Sequence, residues 1–178
     1  MIQVHDLKFQ KYLSTSTLQV RIAELAADLQ KHYSDKQPLF LGVLNGAFMF
    51  ASDLLKVCTF DCEISFIKLA SYQGTASTGE VRTMIGLDKK LQGRHLIIIE
   101  DIVDTGNTMA KLLHDLSTYR PASVAVVTLL LKPAALQHPQ LPLDYVGFEI
   151  DNQFVVGYGL DYDGFGRNYP DLYQLVQP

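Results

Sequence analysis

The sequence predicts an α/β fold, with a mostly parallel central sheet flanked by helices. Three observations lead to this prediction: short apolar runs rich in β-branched residues, segments whose apolar residues recur at helical spacing, and the alternation of the two along the chain. With 178 residues, 48% of them hydrophobic, the chain is long enough for one domain with a sizeable core. Ligands of such sheets bind beyond the carboxyl ends of the strands, so polar motifs that follow apolar strands are the candidate sites.

The first elements alternate clearly. Apolar residues at helical spacing predict a helix over Thr15–His32, with several N-cap candidates in Ser14–Thr17. After Pro38, the run Leu39–Leu44 is typical of a buried strand. Gly46 then begins a turn, and Ala47–Val57 is predicted to be helical.

The middle of the chain contains a long polar segment between strands. Glu63–Ala70 is a predicted strand, and Tyr72–Glu80 is rich in Gly, Ser and Thr without a period, which predicts a loop. Thr83–Leu87 is a candidate short strand. His95–Ile99 is strongly β-branched, the pattern of a central strand that is buried on both faces.

The last third continues the alternation. A helix is predicted over Thr108–Tyr119, with Met109, Leu112, Leu113 and Leu116 facing inward. Ser123–Leu131 is a further buried strand, and Asp144–Ile150 and Phe154–Val156 are short strands near the end.

Charge and cysteine usage exclude several classes of protein. The formal net charge of −4 argues against a nucleic-acid-binding surface, although one anionic small ligand needs only local donors. Cys58 and Cys62 do not have the spacing of a Cys-x-x-Cys pair, and we interpret them as ordinary thiols. We found neither a signal-peptide pattern nor an apolar run of about 20 residues, so we expect a cytoplasmic protein without a membrane partner.

The most informative segment is the strand-loop-helix Leu96–Leu116. A buried strand runs into acidic residues, then into a turn of small and hydroxylated residues, then into a helix. Such a helix N-terminus exposes backbone N–H groups and carries partial positive charge, which suits a phosphate. The residues that would hold it are Thr105, Gly106, Asn107 and Thr108.

Glu100 and Asp101 need a separate explanation, because carboxylates repel phosphate. They can accept hydrogen bonds from ribose hydroxyls, or bind a Mg²⁺ that bridges sugar and phosphate oxygens. They favour a phosphorylated sugar over a bare anion. The alternative is that Asp104 only caps the helix and that Glu100 and Asp101 are only a strand-end pair.

The run Ile98–Thr108 closely resembles the phosphoribosyl pyrophosphate signature of the type I phosphoribosyltransferases. The resemblance covers roughly Leu39 to Arg167, and over this range the sequence is similar in particular to the hypoxanthine-guanine branch of the family. It implies one domain over residues 1–178, with a small hood from about 1–12 and 144–178. It also implies Mg²⁺ as cofactor and a homodimer or homotetramer, for which Ala47–Val57 is a candidate interface.

The same resemblance assigns a pyrophosphate side. It implies a pyrophosphate loop at Asn45 and Gly46, with a cis peptide before Asn45, and a mobile lid whose pair is Ser71 and Tyr72. Arg167 would lie near the pyrophosphate. Many relatives have Lys at the positions of Asn45 and Asn107, so contact here would rest more on backbone groups.

The resemblance also assigns a purine side. Lys132 would donate to the exocyclic oxygen of a 6-oxopurine, and a 6-amino group could not accept that bond. Phe154 would stack on the base, Val155 would present its backbone to the base edge, and Asp161 would lie near the base and reach Mg²⁺ through water. Without the resemblance, Phe154 is an ordinary core residue, and Lys132, Asp161 and Arg167 are surface charges.

The resulting hypothesis is transfer of 5-phosphoribose from phosphoribosyl pyrophosphate to a 6-oxopurine, with Asp104 as general base. Two alternatives stay open. One is a nucleotide-sensing, RNA-binding regulator with the same fold, and the other is a sibling transferase for xanthine or another base.

Overall fold

The computed structural model describes residues 1–71, 81–85 and 90–176. Its main sheet has six strands in the order β5-β4-β3-β6-β7-β8. These are β3 (Leu39–Leu44), β4 (Glu63–Ser71), β5 (Val81–Ile85), β6 (His95–Val103), β7 (Ser123–Leu131) and β8 (Tyr145–Glu149). All neighbouring pairs are parallel except β4 with β5, so the predicted mostly parallel sheet is confirmed.

Helices cover both faces of this sheet. They are α1 (Thr15–Tyr33), α2 (Phe48–Val57) and α3 (Asn107–Ser117). The core against α1 and α2 contains Phe40, Ile97 and Ile99, whereas the core against α3 contains Leu41 and Ile98. Successive strand residues therefore face opposite helical layers, which explains why these strands are apolar throughout.

Both ends of the chain meet in a second, antiparallel sheet. It consists of β1 (Ile2–Val4), β2 (Leu7–Leu13), β9 (Val155–Val156) and β10 (Leu172–Leu175), in the order β1-β2-β10-β9. Its own small core includes Val4, Phe9, Val156 and Tyr173. This sheet corresponds to the hood of the predicted fold class, although β1, β2 and β10 were not predicted as strands.

Most differences in the other elements concern their ends. The predicted strand His95–Ile99 continues to Val103, so Glu100 and Asp101 lie within β6 rather than after it. Phe154 lies outside β9, and α3 begins at Asn107 instead of Thr108. The strand predicted at Thr83–Leu87 is found at Val81–Ile85, and the loop predicted at Tyr72–Glu80 lies outside the described residues.

Among the residues that the structure describes, no helix is both long and apolar enough to cross a membrane.

Candidate functional site

A cavity of about 240 Å³ lies beyond the carboxyl ends of β6 and β7, beneath the segment that leads into and out of β9. The sequence predicted a ligand site at this edge of the sheet. The cavity is lined by Asp101, Ile102, Asp104, Lys132, Phe154, Val155, Leu160 and Asp161. It thus brings together six residues that the sequence proposed as site residues.

The loop before α3 is shaped by Gly106. Its φ of 82° lies in the left-handed region, and a Cβ there would come within 2.7 Å of Leu141 Cδ1. Only glycine fits this position without strain. Gly106 is the N-cap of α3 and Asp104 is not, so the alternative reading of Asp104 as a mere helix cap is wrong.

Asn107, the first residue of α3, is held by the segment that follows β7. Its Oδ1 lies 2.6 Å from His138 Nε2, and its Nδ2 donates to Gln137 Oε1 at 3.3 Å. The Gln137 N–H in turn donates to the Thr105 carbonyl at 2.9 Å. Asn107 and Thr108 are exposed, so this helix N-terminus is open to a ligand.

Glu100 and Asp101 form a coupled acidic pair at the end of β6. Glu100 is only 8% exposed, and burial, followed by the neighbouring charge of Asp101, raises the pKa of its carboxyl well above the usual range. Burial also raises the pKa of Asp101, although hydrogen bonds, including the one from the Ile102 N–H at 2.7 Å, oppose that shift. A ligand that donates hydrogen bonds or brings positive charge would relieve this unfavourable burial.

The turn after β3 packs directly on this acidic pair. The Leu44–Asn45 peptide bond is cis, as the resemblance implies. A Cβ at Gly46 would overlap the carboxylate of Asp101, so a side chain cannot be placed there without moving one of the two segments. Asn45 is exposed at the tip of the turn.

Arg167 and Asp161 are brought together by the C-terminal segment. Arg167 Nη2 lies 2.7 Å from Asp161 Oδ1, and Nη1 donates to the Gly159 carbonyl at 2.7 Å. Asp161 also accepts from the Gly164 N–H at 2.7 Å. Both side chains are about one quarter exposed, so neither is a freely solvated surface charge.

Lys132 and Asp104 form an ion pair within the cavity. Lys132 Nζ donates to Asp104 Oδ2 at 2.8 Å. The lysine side chain is 9% exposed, which contradicts the alternative of a solvated strand-end charge, whereas that of Asp104 is 48% exposed. The site therefore presents a positively charged donor and a carboxylate acceptor side by side.

Phe154 faces the cavity with a partly open ring, 39% exposed. Tyr162 approaches it edge to face, with centroids 5.6 Å apart, and the buried Phe9 lies at 5.8 Å. A ring fixed by two others but still open on one side is arranged for stacking rather than for the core. Val155 is buried beside it in β9.

The side chains of two predicted site residues are not placed by the part of the chain that the structure describes. Tyr72 lies outside the described residues, and only the backbone of Ser71 is described, as the last residue of β4.

Tyr158 and Gly159 were not predicted as functional residues, yet they connect the C-terminal segment to α2 and to the Gly46 turn, respectively. The sequence feature that could have indicated them is the pair of glycines at positions 157 and 159, which flank Tyr158. Both glycines adopt positive φ, as a tight turn requires.

The carboxylates of Glu100 and Asp101 fit Mg²⁺ as ligands, but two side chains do not fill its coordination shell. Within the described ranges, no group of three or more His, Cys, Asp or Glu side chains is placed to hold a metal ion. Mg²⁺ commonly binds through one or two carboxylates and completes its shell with water and substrate phosphates. Glu100 and Asp101 fit that mode, whereas Asp161 is engaged by Arg167.

Comparisons with known proteins agree with this geometry. A model of the phosphoribosyl transferase domain matches residues 10–163. The chain is 43% identical over 153 residues to a hypoxanthine-guanine-xanthine phosphoribosyltransferase of Tritrichomonas foetus, covering 86% of this chain and 84% of that one. It is 42% identical over 168 residues to the hypoxanthine-guanine phosphoribosyltransferase of Bacillus subtilis, covering 93% and 92%.

A solved structure shows the same similarity. A hypoxanthine phosphoribosyltransferase from Staphylococcus aureus superposes with a TM-score of 0.88 at 38% identity, over 96% of this chain and 92% of that one.

Proposed function

The chain belongs to the phosphoribosyltransferase domain family, and from that premise we propose that it transfers 5-phosphoribose from phosphoribosyl pyrophosphate to a 6-oxopurine. The products are the purine nucleoside monophosphate and pyrophosphate. Hypoxanthine is the first candidate acceptor and guanine the second, because the similar proteins are named for these bases.

The Lys132–Asp104 pair is the observation that carries the proposal. A 6-oxopurine presents two adjacent groups on one edge: the exocyclic oxygen, which accepts, and the imidazole nitrogen, which carries a proton. Lys132 Nζ and Asp104 Oδ2, 2.8 Å apart, offer the matching donor and acceptor. A 6-aminopurine would turn an amino group towards the ammonium of Lys132, so that neither could accept from the other.

Asp104 is the proposed general base. The half-exposed carboxylate at the cavity wall would take the proton from the imidazole nitrogen as the glycosidic bond forms. Phe154 would hold the base by stacking, and the backbone of Val155 would face its edge. Loss of that proton leaves an electron pair on the other imidazole nitrogen, which attacks the sugar carbon as pyrophosphate departs. The contacts with the base fix this second nitrogen against the sugar carbon, and such positioning supplies much of the rate in reactions of this kind.

The sugar phosphate would occupy the loop before α3. The N–H groups and hydroxyls of Thr105 to Thr108 would bind the 5′-phosphate, and Glu100 and Asp101 would accept from the ribose hydroxyls. The turn at Asn45 and Gly46, with Arg167, would face the pyrophosphate. Ser71 and Tyr72 would form the lid that excludes water from the reacting sugar.

Mg²⁺ is part of the proposal, held by Glu100 and Asp101, with Asp161 acting through water. When bound, the ion would offset the negative charge of the departing pyrophosphate. Burial raises the pKa of the buried Glu100 and of the partly buried Asp101, and a positively charged partner at this position would offset that cost.

The RNA-binding alternative is not favoured. Similar proteins along most of the chain are named as transferases, and the net charge is −4. A homodimer or homotetramer remains part of the proposal, and the exposed Phe48 and Val57 of α2 are consistent with an interface there.

The proposal is tested by product analysis of the whole chain with phosphoribosyl pyrophosphate, Mg²⁺ and hypoxanthine. We expect inosine monophosphate and pyrophosphate in equal amounts, and loss of turnover when the metal is chelated. Absence of both products at full metal occupancy would contradict the assignment, and tight binding to RNA instead would favour the regulator.

A further inference from the structure

A buried tyrosine projects from the tight hairpin Gly157–Leu160. Gly157 and Leu160 exchange two backbone hydrogen bonds of 3.0 Å, which leaves Tyr158 and Gly159 at the two central positions. Their φ angles are 47° and 101°, as a two-residue hairpin of this type requires. A tyrosine is uncommon at such a position, and its side chain is directed inward, with only 3% of the residue exposed.

The tyrosine hydroxyl is bonded to α2, the helix that follows the Gly46 turn. Tyr158 Oη donates to Asp53 Oδ2 at 2.6 Å. Asp53 also accepts from Gln19 Nε2 at 2.6 Å and from Lys56 Nζ at 2.9 Å. Burial raises the pKa of this carboxyl, but the three hydrogen bonds together lower it, so Tyr158 donates to an ionised acceptor. Hydrogen bonds of this kind are stronger than neutral ones.

The same hairpin contacts the Gly46 turn directly. A Cβ at Gly159 would overlap the carbonyl oxygen of Gly46, so the two backbones touch at a point where only glycine fits. The carbonyl of Gly159 accepts from Arg167 Nη1 at 2.7 Å. Movement of the hairpin would therefore displace both the contact with Gly46 and the guanidinium of Arg167.

We infer that Tyr158 and Asp53 are positioning residues for the pyrophosphate half of the site. Their hydrogen bond holds the hairpin against the Gly46 turn and keeps Arg167 aligned with it. Neither Tyr158 nor Asp53 lines the cavity that holds Lys132 and Phe154, although Leu160 at the end of the hairpin does. Loss of the bond should therefore affect the pyrophosphate half more than the purine half. The inference rests on the proposed function, because that function assigns pyrophosphate to this turn.

The test is Tyr158→Phe, which removes the hydroxyl and keeps the ring. The KM for phosphoribosyl pyrophosphate and the inhibition constant for pyrophosphate should each rise about tenfold, as expected for the loss of a hydrogen bond to a charged group. The KM for hypoxanthine should rise much less, and the thermal midpoint should fall by only a few degrees, as expected for the loss of one buried hydrogen bond. Calorimetric binding of magnesium pyrophosphate to the same variant provides a reading that needs no turnover.

Control variants separate positioning from general damage. Lys56→Met removes the ion pair to Asp53 but leaves the Tyr158 bond, and Tyr173→Phe deletes another buried tyrosine hydroxyl that donates to Asp171. Both should match the wild type. Asp53→Asn keeps an acceptor and should retain most of the pyrophosphate affinity, whereas Asp53→Leu should lose it.

Unchanged pyrophosphate binding in Tyr158→Phe would overturn the inference. So would a rise in the KM for hypoxanthine of that variant equal to the rise for phosphoribosyl pyrophosphate, together with a much lower thermal midpoint. The third contrary result is the same loss of pyrophosphate affinity in Lys56→Met. A wild type without turnover would contradict the proposed function instead. The calorimetric comparison of wild type and Tyr158→Phe would then still test the inference by itself.

Discussion

The proposed phosphate loop and the proposed purine pocket meet at Asp104, on the wall of one cavity, but are built in different ways. The loop is a continuous run, Glu100–Thr108, that connects β6 to α3. The pocket is assembled from Asp104, Lys132 and Phe154, which belong to three separate segments. An ion pair joins Asp104 to Lys132, and the ring of Tyr162 holds Phe154 in place. A site built from one continuous run of residues can be recognised in the sequence. A site built from several segments depends on the fold that brings those segments together.

Asp104 belongs to both regions, and its substitution should have the largest effect. Asp104→Asn keeps the size of the side chain but removes the base, so kcat should fall by about 10²–10⁴-fold. Steady-state kinetics with hypoxanthine would measure it, with the exposed Asp163→Asn as control. Near-normal turnover of Asp104→Asn would remove the proposed general base.

Lys132 should determine the choice of base. In Lys132→Gln the side chain can both donate and accept, so the ratio of kcat/KM for hypoxanthine over adenine should fall about 10²-fold. The KM for phosphoribosyl pyrophosphate should change little, because Lys132 lies on the purine side. Lys31→Gln, at an exposed position of α1, is the matched control. An unchanged ratio would mean that selectivity arises elsewhere.

Phe154 should affect binding of the base alone. Phe154→Leu keeps an apolar side chain without an aromatic face, and the KM for hypoxanthine should rise about tenfold, since stacking of a base contributes about 1–3 kcal/mol. Phe165→Leu removes a more exposed ring of the same segment and should have no such effect. A comparable rise in the KM for phosphoribosyl pyrophosphate would show that the two regions are not separable.

Asp171 should have the smallest effect, on stability rather than catalysis. It accepts from the backbone N–H of Thr15 at 2.7 Å and pairs with Lys11, which ties the small sheet to α1. Asp171→Asn should lower the free energy of unfolding at pH 7 by about 1 kcal/mol.

The pH dependence of that loss follows from the pKa of Asp171, which the hydrogen bond from Lys11 lowers to about 2. The stabilisation is present above the ordinary aspartate value near 4 and disappears as pH falls through about 2. Denaturant unfolding of both forms between pH 7 and pH 2 would measure this, with the exposed Asp163→Asn as control. The difference should shrink strongly by pH 2, and one that stayed undiminished there would show that the charge of Asp171 is not its cause.

The comparison of the two regions also explains what could be predicted. Continuous apolar runs predicted β3, β6 and β7, because a strand buried on both faces needs apolar residues throughout. The cavity joins the predicted residues of both regions. The Lys132–Asp104 pair itself was not foreseen, since contacts between segments do not follow from local pattern.

The antiparallel sheet of β1, β2, β9 and β10 was also difficult to predict from local sequence. β2 alternates Lys and Gln with apolar residues and is paired with β10 from the other end of the chain. Neither strand has a local signal as strong as that of β6, because one face of this sheet is open to solvent. Tyr158 was missed for a related reason: its importance comes from the bond to Asp53, which is remote in sequence.

The central claim is that one cleft joins a phosphoribosyl pyrophosphate site to a pocket selective for 6-oxopurines. Its most direct test is turnover of the wild-type chain with phosphoribosyl pyrophosphate and, in turn, hypoxanthine, guanine, xanthine, adenine and uracil. We expect turnover with hypoxanthine and guanine, and kcat/KM values for adenine and uracil at least about 10²-fold lower. Equal or faster turnover with adenine or uracil would contradict the claim.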